Sequence, residues 1–127
     1  MNKIQDRLWL GNIQAAQDYH ALKQANITHI LQVASDMKPF YPKDFIYKII
    51  DVPDLGQTQL IRHFPAATAF IREGRASGGV LVHCHAGISR SSSVVIAFLM
   101  QDQQMTFTDA FEYTSNKRPI IFPNLGF

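Results

Sequence analysis

Short apolar runs rich in β-branched residues alternate along this chain with longer segments of helical periodicity. The runs predict strands at residues 7–10, 27–33, 45–52 and 80–82. We interpret the first as an edge strand that ends at Gly11, and residues 27–33 as an interior strand because β-branched side chains are frequent there. Strands that alternate with helices predict an α/β fold with a central, mostly parallel sheet flanked by helices.

Four segments place apolar residues at helical spacing and predict helices. They cover residues 12–25, 58–75, a stretch that starts near Arg90, and 106–115. Asn12 and Thr106 are the expected N-caps of the first and last of these helices. Pro65 lies inside the second, which is therefore expected to break or restart there. Ile61 and Phe107 are among the side chains expected to face the core.

The composition fits one globular domain over residues 1–127. Hydrophobic residues make up 46% of the chain and charged residues 17%, which excludes a disordered polypeptide. The formal net charge is +2 and the longest basic run is the pair Lys117-Arg118, so neither a nucleic-acid surface nor an electrostatic membrane anchor is expected. A single cysteine excludes an internal disulfide. With no signal peptide or membrane-spanning run visible, this cysteine usage favours the cytoplasm or the nucleus.

The one cysteine, Cys84, stands where a predicted strand turns into a loop. Residues 85–89 are mostly small, and a predicted helix begins at Arg90. Main-chain N–H groups in such a loop, together with those at a helix start, bind tetrahedral oxyanions and favour a thiolate over a thiol. Arg90 can hold two phosphate oxygens with its planar guanidinium, Ser91 can donate a hydrogen bond to the sulfur, and Gly87 allows backbone angles that other residues resist.

A nucleophilic sulfur below a phosphate cradle predicts phosphoryl transfer through a phosphocysteine. The alternative is a buried free cysteine at the end of a strand, which is the usual role of a single cysteine. Phosphoryl transfer also needs an acid for the leaving oxygen and a base for water. The loop after the third predicted strand offers two carboxylates, Asp51 and Asp54, and both could instead be solvated turn residues. Nothing in this chemistry calls for a metal or a cofactor.

The residues around the cysteine resemble a known signature. His-Cys-His-Ala-Gly-Ile-Ser-Arg-Ser, residues 83–91, is similar to the signature of the cysteine-dependent protein tyrosine phosphatases, and its last six residues resemble the dual-specificity branch. This resemblance implies catalytic roles for Cys84, Arg90 and Ser91. It also implies a loop that binds phosphate, formed by His85, Ala86, Gly87, Ile88, Ser89 and Arg90, with the His85 side chain at the surface.

The same resemblance assigns roles outside the loop. It favours Asp54 over Asp51 as the acid, because the aromatic Phe64 follows Asp54 at the family's ten-residue spacing. His83 is expected to brace the loop by hydrogen bonding to nearby backbone. Asn124, within Pro-Asn-Leu-Gly-Phe, is expected to tie the terminal segment to the active loop.

The implied function is a protein phosphatase that acts on phosphotyrosine and on phosphoserine or phosphothreonine in phosphoproteins. The tryptophan-proline-aspartate acid loop and the substrate-clamping tyrosine loop of the tyrosine-only branch are absent, which implies a shallower pocket. The loop also lacks the lysines of inositide-directed relatives, so a lipid substrate is not favoured. Two alternatives are a catalytically weak pseudo-phosphatase that binds phosphoproteins, and a rhodanese-like sulfur transferase, which also places a cysteine at the start of an anion-binding loop.

Overall fold

The computed structural model describes residues 1–35, 37–52 and 58–121. Within these ranges the centre is a five-stranded sheet, formed by β1 (Asn2–Gln5), β2 (Leu8–Gly11), β3 (Ile27–Val33), β4 (Ile46–Ile50) and β5 (Gly79–His83). The strands lie in the order β1-β2-β5-β3-β4. β1 runs antiparallel to β2, and the other neighbouring pairs are parallel. The predicted mostly parallel sheet is therefore confirmed.

The prediction that residues 7–10 form an edge strand is wrong. β2 lies inside the sheet, between β5 and the antiparallel β1. Asp6 and Arg7 form the turn between β1 and β2, and Arg7 has a positive φ of 65°. Ile4 alone is buried in β1, so this strand carries too little apolar alternation to be predicted from the sequence.

The helices follow the predicted segments, with one division. They are α1 (Ile13–Gln17), α2 (Tyr19–Gln24), α3 (Phe64–Ser77), α4 (Arg90–Gln103) and α5 (Phe107–Lys117), and a 3-10 helix over Thr58–His63 precedes α3. The predicted helix at 12–25 divides at Asp18, whose side chain accepts a hydrogen bond from the Ala21 N–H and caps α2. Asn12 and Thr106 cap α1 and α5 as predicted.

The segment around Pro65 shows why two side chains predicted to be buried are exposed. Pro65 stands in the first turn of α3, where its missing N–H costs nothing, so the helix restarts there as predicted. The preceding turn is a 3-10 helix with about three residues per turn rather than 3.6, and Ile61 is 45% exposed there. Phe107 is the first residue of α5 and is 42% exposed, beside the ring of Phe111. Neither Ile61 nor Phe107 faces the core.

Helices cover both faces of the sheet and separate its side chains into two cores. In the central strand β5, Leu81 packs with residues of α1 and α2, whereas Val80 and Val82 pack with residues of α3, α4 and α5. α4 is buried at every position from Arg90 to Leu99. In the described part of the chain, no helix is both long and apolar enough to cross a membrane. The parallel strands β3, β4 and β5 bring their carboxyl ends to one edge of the sheet, where the loop after β5 begins.

Candidate active site

The loop after β5 turns the only cysteine towards its own backbone. Cys84 follows the strand directly and is buried. Its Sγ lies 3.1 Å from Ser91 Oγ, at the start of α4, and accepts a hydrogen bond of 3.2 Å from the Gly87 N–H. The sulfur is therefore held among polar groups of the loop and the helix start, and is not turned into the hydrophobic core.

The carbonyl groups of residues 85–89 are all bound from outside the loop. Their donors are Ile13 N for His85, Arg118 for Ala86 and Gly87, Ser92 Oγ for Ile88, and the Ser92 and Ser93 hydroxyls for Ser89. All peptide bonds in the described ranges are trans, and in a trans peptide the N–H points away from the carbonyl of the preceding residue. The N–H groups of residues 86–90 therefore point away from these outer donors, and that of Gly87 visibly reaches the sulfur.

Gly87 meets a steric demand that other residues could not. Its φ is +68°, in the left-handed region that favours glycine. A Cβ at this position would also lie 2.6 Å from both Arg118 Nη2 and the Gly11 carbonyl oxygen. The backbone angle that the sequence analysis expected of Gly87 is therefore present, together with a close approach of neighbouring atoms.

Arg90 is the first residue of α4 and reaches across the same sheet edge. It is only 7% exposed, and its Nη1 donates a 3.0 Å hydrogen bond to the Val52 carbonyl, just beyond β4. Its Nε is buried and has no hydrogen-bond partner among the described residues. A buried donor without a partner is costly, because it has lost its contact with water. An oxyanion held in the loop would satisfy it.

The two histidines that flank the cysteine have different environments. The His83 ring is fully buried, with Nδ1 3.3 Å from the Cys84 carbonyl oxygen, and His85 is exposed. Burial lowers the pKa of His83 to about 4, although the contact with the Cys84 carbonyl favours protonation. The imidazole is therefore neutral at pH 7, and with its proton on Nδ1 it donates to that carbonyl.

Asp54 and Asn124 lie outside the described residues, so their roles stay predictions. Asp51, the alternative acid, is exposed and follows β4 directly. Because the Val52 carbonyl binds Arg90, the residues that directly follow β4 lie beside the start of α4.

The sequence interpretation missed Arg118. In the sequence this residue is only half of a basic pair at the end of a predicted helix, yet its guanidinium contacts the loop. Nε donates to the Gly87 carbonyl at 2.9 Å, Nη2 to the Ala86 carbonyl at 3.3 Å, and Nη1 to Asn2 Oδ1 at 2.6 Å. No periodicity could have revealed these contacts, because they depend on β1 and the end of α5 meeting at the loop.

The arrangement can bind a tetrahedral anion and attack its central atom. The Cys84 sulfur lies in a loop whose carbonyls are bound from outside, it accepts a hydrogen bond from the Gly87 N–H, and the buried Arg90 guanidinium follows at the start of α4. Donors fixed in this way stabilise negative charge without reorganising during the reaction. In the described ranges, no three His, Cys, Asp or Glu side chains are grouped as a metal ion would require.

Comparisons with known proteins agree with this geometry. Residues 8–127 match the family described as "Dual specificity phosphatase, catalytic domain". The chain is 47% identical over 124 residues to MAP kinase phosphatase with leucine-rich repeats protein 2 of Dictyostelium discoideum, covering 98% of this chain and 18% of that protein. It is 44% identical over 125 residues to dual specificity protein phosphatase 1 of Arabidopsis thaliana, covering 98% of this chain and 63% of the relative. The chain thus spans less than two thirds of either relative.

A solved structure shows the same fold. The crystal structure of human tyrosine phosphatase-like serine/threonine/tyrosine-interacting protein superposes with a TM-score of 0.94 at 36% sequence identity. The match covers 99% of this chain and 89% of the human one. The helices and the sheet are therefore arranged as in this human crystal structure.

Proposed function

The chain belongs to the dual specificity phosphatase family, and we propose that it is the catalytic domain of a protein phosphatase. The proposed domain extends over residues 1–127, and its proposed substrates are phosphoproteins that carry phosphotyrosine and phosphoserine or phosphothreonine. The supporting observation is the position of Cys84 Sγ, which contacts the Gly87 N–H and Ser91 Oγ inside a loop whose carbonyls are all bound from outside.

In the first step, the Cys84 thiolate attacks phosphorus. The S–P bond forms and the P–O bond to the substrate breaks, while Arg90 and the loop N–H groups hold the three equatorial oxygens. Asp54 gives its proton to the leaving oxygen, which departs as an alcohol or a phenol.

In the second step, water hydrolyses the phosphocysteine. Asp54, now a carboxylate, takes a proton from the attacking water, the O–P bond forms and the S–P bond breaks. The electron pair returns to sulfur as a thiolate. Ser91 Oγ, 3.1 Å from the sulfur, donates a hydrogen bond that stabilises this leaving group.

A phosphoprotein-binding protein without turnover is the second candidate function. One structural relative carries the words "phosphatase-like" and "interacting" in its name. Binding alone needs the loop donors and Arg90, but it has no use for a nucleophile at their centre. Because Cys84 is present with its sulfur held inside the loop, we favour the enzyme.

Replacement of the nucleophile tests the proposal. Cys84→Ser should abolish hydrolysis of p-nitrophenyl phosphate and of phosphotyrosine and phosphothreonine peptides, because the serine hydroxyl is far less acidic than the thiol. The phosphate loop should persist, so calorimetry should still detect phosphopeptide binding. All assays contain EDTA, which removes contaminating metal-dependent phosphatases. Turnover that survives in Cys84→Ser, or a wild-type protein that binds phosphopeptides without hydrolysing them, would contradict the enzymatic proposal.

A matched pair of variants tests the acid. Asp54→Asn should slow hydrolysis of phosphotyrosine peptides by about 10²–10⁴-fold, as expected when a general acid is lost. Asp51→Asn, the same change three positions earlier, should slow it by far less. With p-nitrophenyl phosphate the Asp54→Asn defect should shrink, because nitrophenolate leaves without needing a proton. A larger defect in Asp51→Asn, or no dependence on the leaving group, would reassign the acid.

A further inference from the structure

We propose that Arg118 is a positioning residue that holds the phosphate loop in its anion-binding conformation. The inference rests on the proposed function, because it concerns the same loop. Arg118 follows α5, far from Cys84 in sequence, and touches the loop from the side opposite the sulfur. It therefore acts through the loop backbone.

The contacts of Arg118 determine which way two peptide planes face. Nε and Nη2 bind the carbonyls of Gly87 and Ala86. Because the N–H of a trans peptide points opposite to its carbonyl, these bonds direct the N–H groups of Gly87 and Ile88 towards the anion site. The Gly87 N–H lies 3.2 Å from Cys84 Sγ, as this orientation requires.

The third donor of the guanidinium anchors it to the first strand. Nη1 donates to Asn2 Oδ1 at 2.6 Å, and Asn2 begins β1. The three nitrogens of the planar guanidinium each bind a different acceptor oxygen. Lysine carries its charge at a single rotating nitrogen and could not reproduce this pattern.

The burial of Arg118 supports a functional role. The residue is 6% exposed, and among the described residues its acceptors are neutral oxygens rather than a carboxylate. Burial lowers the pKa of Arg118, whereas the charge of Cys84 favours the guanidinium form. Burying a cation without a carboxylate partner lowers the stability of the fold, so stability alone does not account for this arrangement.

The test uses Arg118→Lys and measures anion binding separately from the rate of hydrolysis. Tungstate affinity by calorimetry, kcat/KM with p-nitrophenyl phosphate and the melting temperature are compared with wild type. Tungstate affinity and kcat/KM should fall together by about 10- to 100-fold, as expected when a small shift displaces binding groups. The melting temperature should change by only a few degrees. Arg72→Lys is the matched control, because Arg72 is an exposed arginine paired with Asp102, and it should leave tungstate affinity and kcat/KM unchanged.

The possible outcomes separate this inference from the proposed activity. If Arg118→Lys melts earlier but binds tungstate within about two-fold of wild type, Arg118 only supports the fold and the inference is overturned. If wild type binds tungstate without any turnover and Arg118→Lys weakens that binding, the proposed activity fails while the positioning role stands.

If Arg118→Lys does not fold, Asn2→Ala replaces it, since it removes the anchor and leaves both loop contacts. Reduced tungstate affinity in this variant supports the inference, and unchanged affinity overturns it.

Discussion

Two buried nitrogen-containing side chains next to the nucleophile differ in charge at pH 7. The His83 ring lies below the loop and is neutral, because burial lowers its pKa to about 4. Arg118 lies beside the loop and keeps its charge. Of these two side chains, Arg118 therefore adds positive charge to that of Arg90, while His83 contributes one hydrogen bond to the Cys84 carbonyl.

The neutral His83 makes the stability of the fold depend on pH. Its pKa is about 4 in the folded chain, below the ordinary value of 6.5, so the unfolded chain binds more protons between these values. The contribution of His83 to the free energy of unfolding is fully present above about pH 6.5 and is lost as the pH drops towards 4. Acidification from pH 7 to 5 should lower the free energy of unfolding by about 2 kcal/mol through this group.

Urea unfolding at pH 7 and pH 5 measures this contribution. In His83→Gln, which cannot titrate, the decrease between the two pH values should be smaller by about the same 2 kcal/mol. The comparison uses the pH-dependent difference within each protein, so any general destabilisation by the substitution cancels. An unchanged decrease in His83→Gln would show that another group causes the pH dependence.

At the scale of elements, α3 approaches the sheet closely where its sequence has a glycine. Gly74 lies in the last turn of α3, where glycine lowers helix stability relative to alanine. A Cβ at this position would overlap Val80 Cγ2 on β5 and lie 2.9 Å from His29 Cβ on β3. The glycine therefore sets the distance between this helix and the two central strands.

Gly74→Ala should consequently destabilise the protein despite the better helix propensity of alanine. Overpacking costs about 1–3 kcal/mol, and the gain in propensity offsets up to about 1 kcal/mol of it. Ala76→Gly on the exposed side of α3 is the control, and it should lose about 0.5–1 kcal/mol through propensity alone. Both values come from chemical denaturation. A Gly74→Ala protein more stable than wild type would show that the packing at this point is loose.

Elements could be predicted from the sequence where local signals were strong. The β-branched residues at 27–33 gave an interior strand, and the Asn12 and Thr106 caps marked true helix starts. Predictions were wrong where the same apolar spacing fitted either one continuous helix or two shorter ones. The apolar spacing of 12–25 continues through Asp18, although this residue ends one helix and caps the next.

At the scale of the whole molecule, the alternation of strands and helices predicted the fold class and placed the reactive loop after a central strand. The order β1-β2-β5-β3-β4 could not be derived from periodicity, because it depends on which apolar faces meet in three dimensions. The same limit applies to the site. The spacing of Cys84, Arg90 and Ser91 is local and visible, whereas the Arg118 contacts join segments that are distant in sequence.

The hydrogen bond between Asn2 and Arg118 joins positions 116 residues apart. During synthesis, the ribosome makes the cysteine, the small residues after it and all of α4 well before it adds residue 118. Until then the carbonyls of Ala86 and Gly87 lack their guanidinium donor. A nascent chain would therefore carry its thiol without the Arg118 contacts, and the loop would gain them only after residue 118 had emerged.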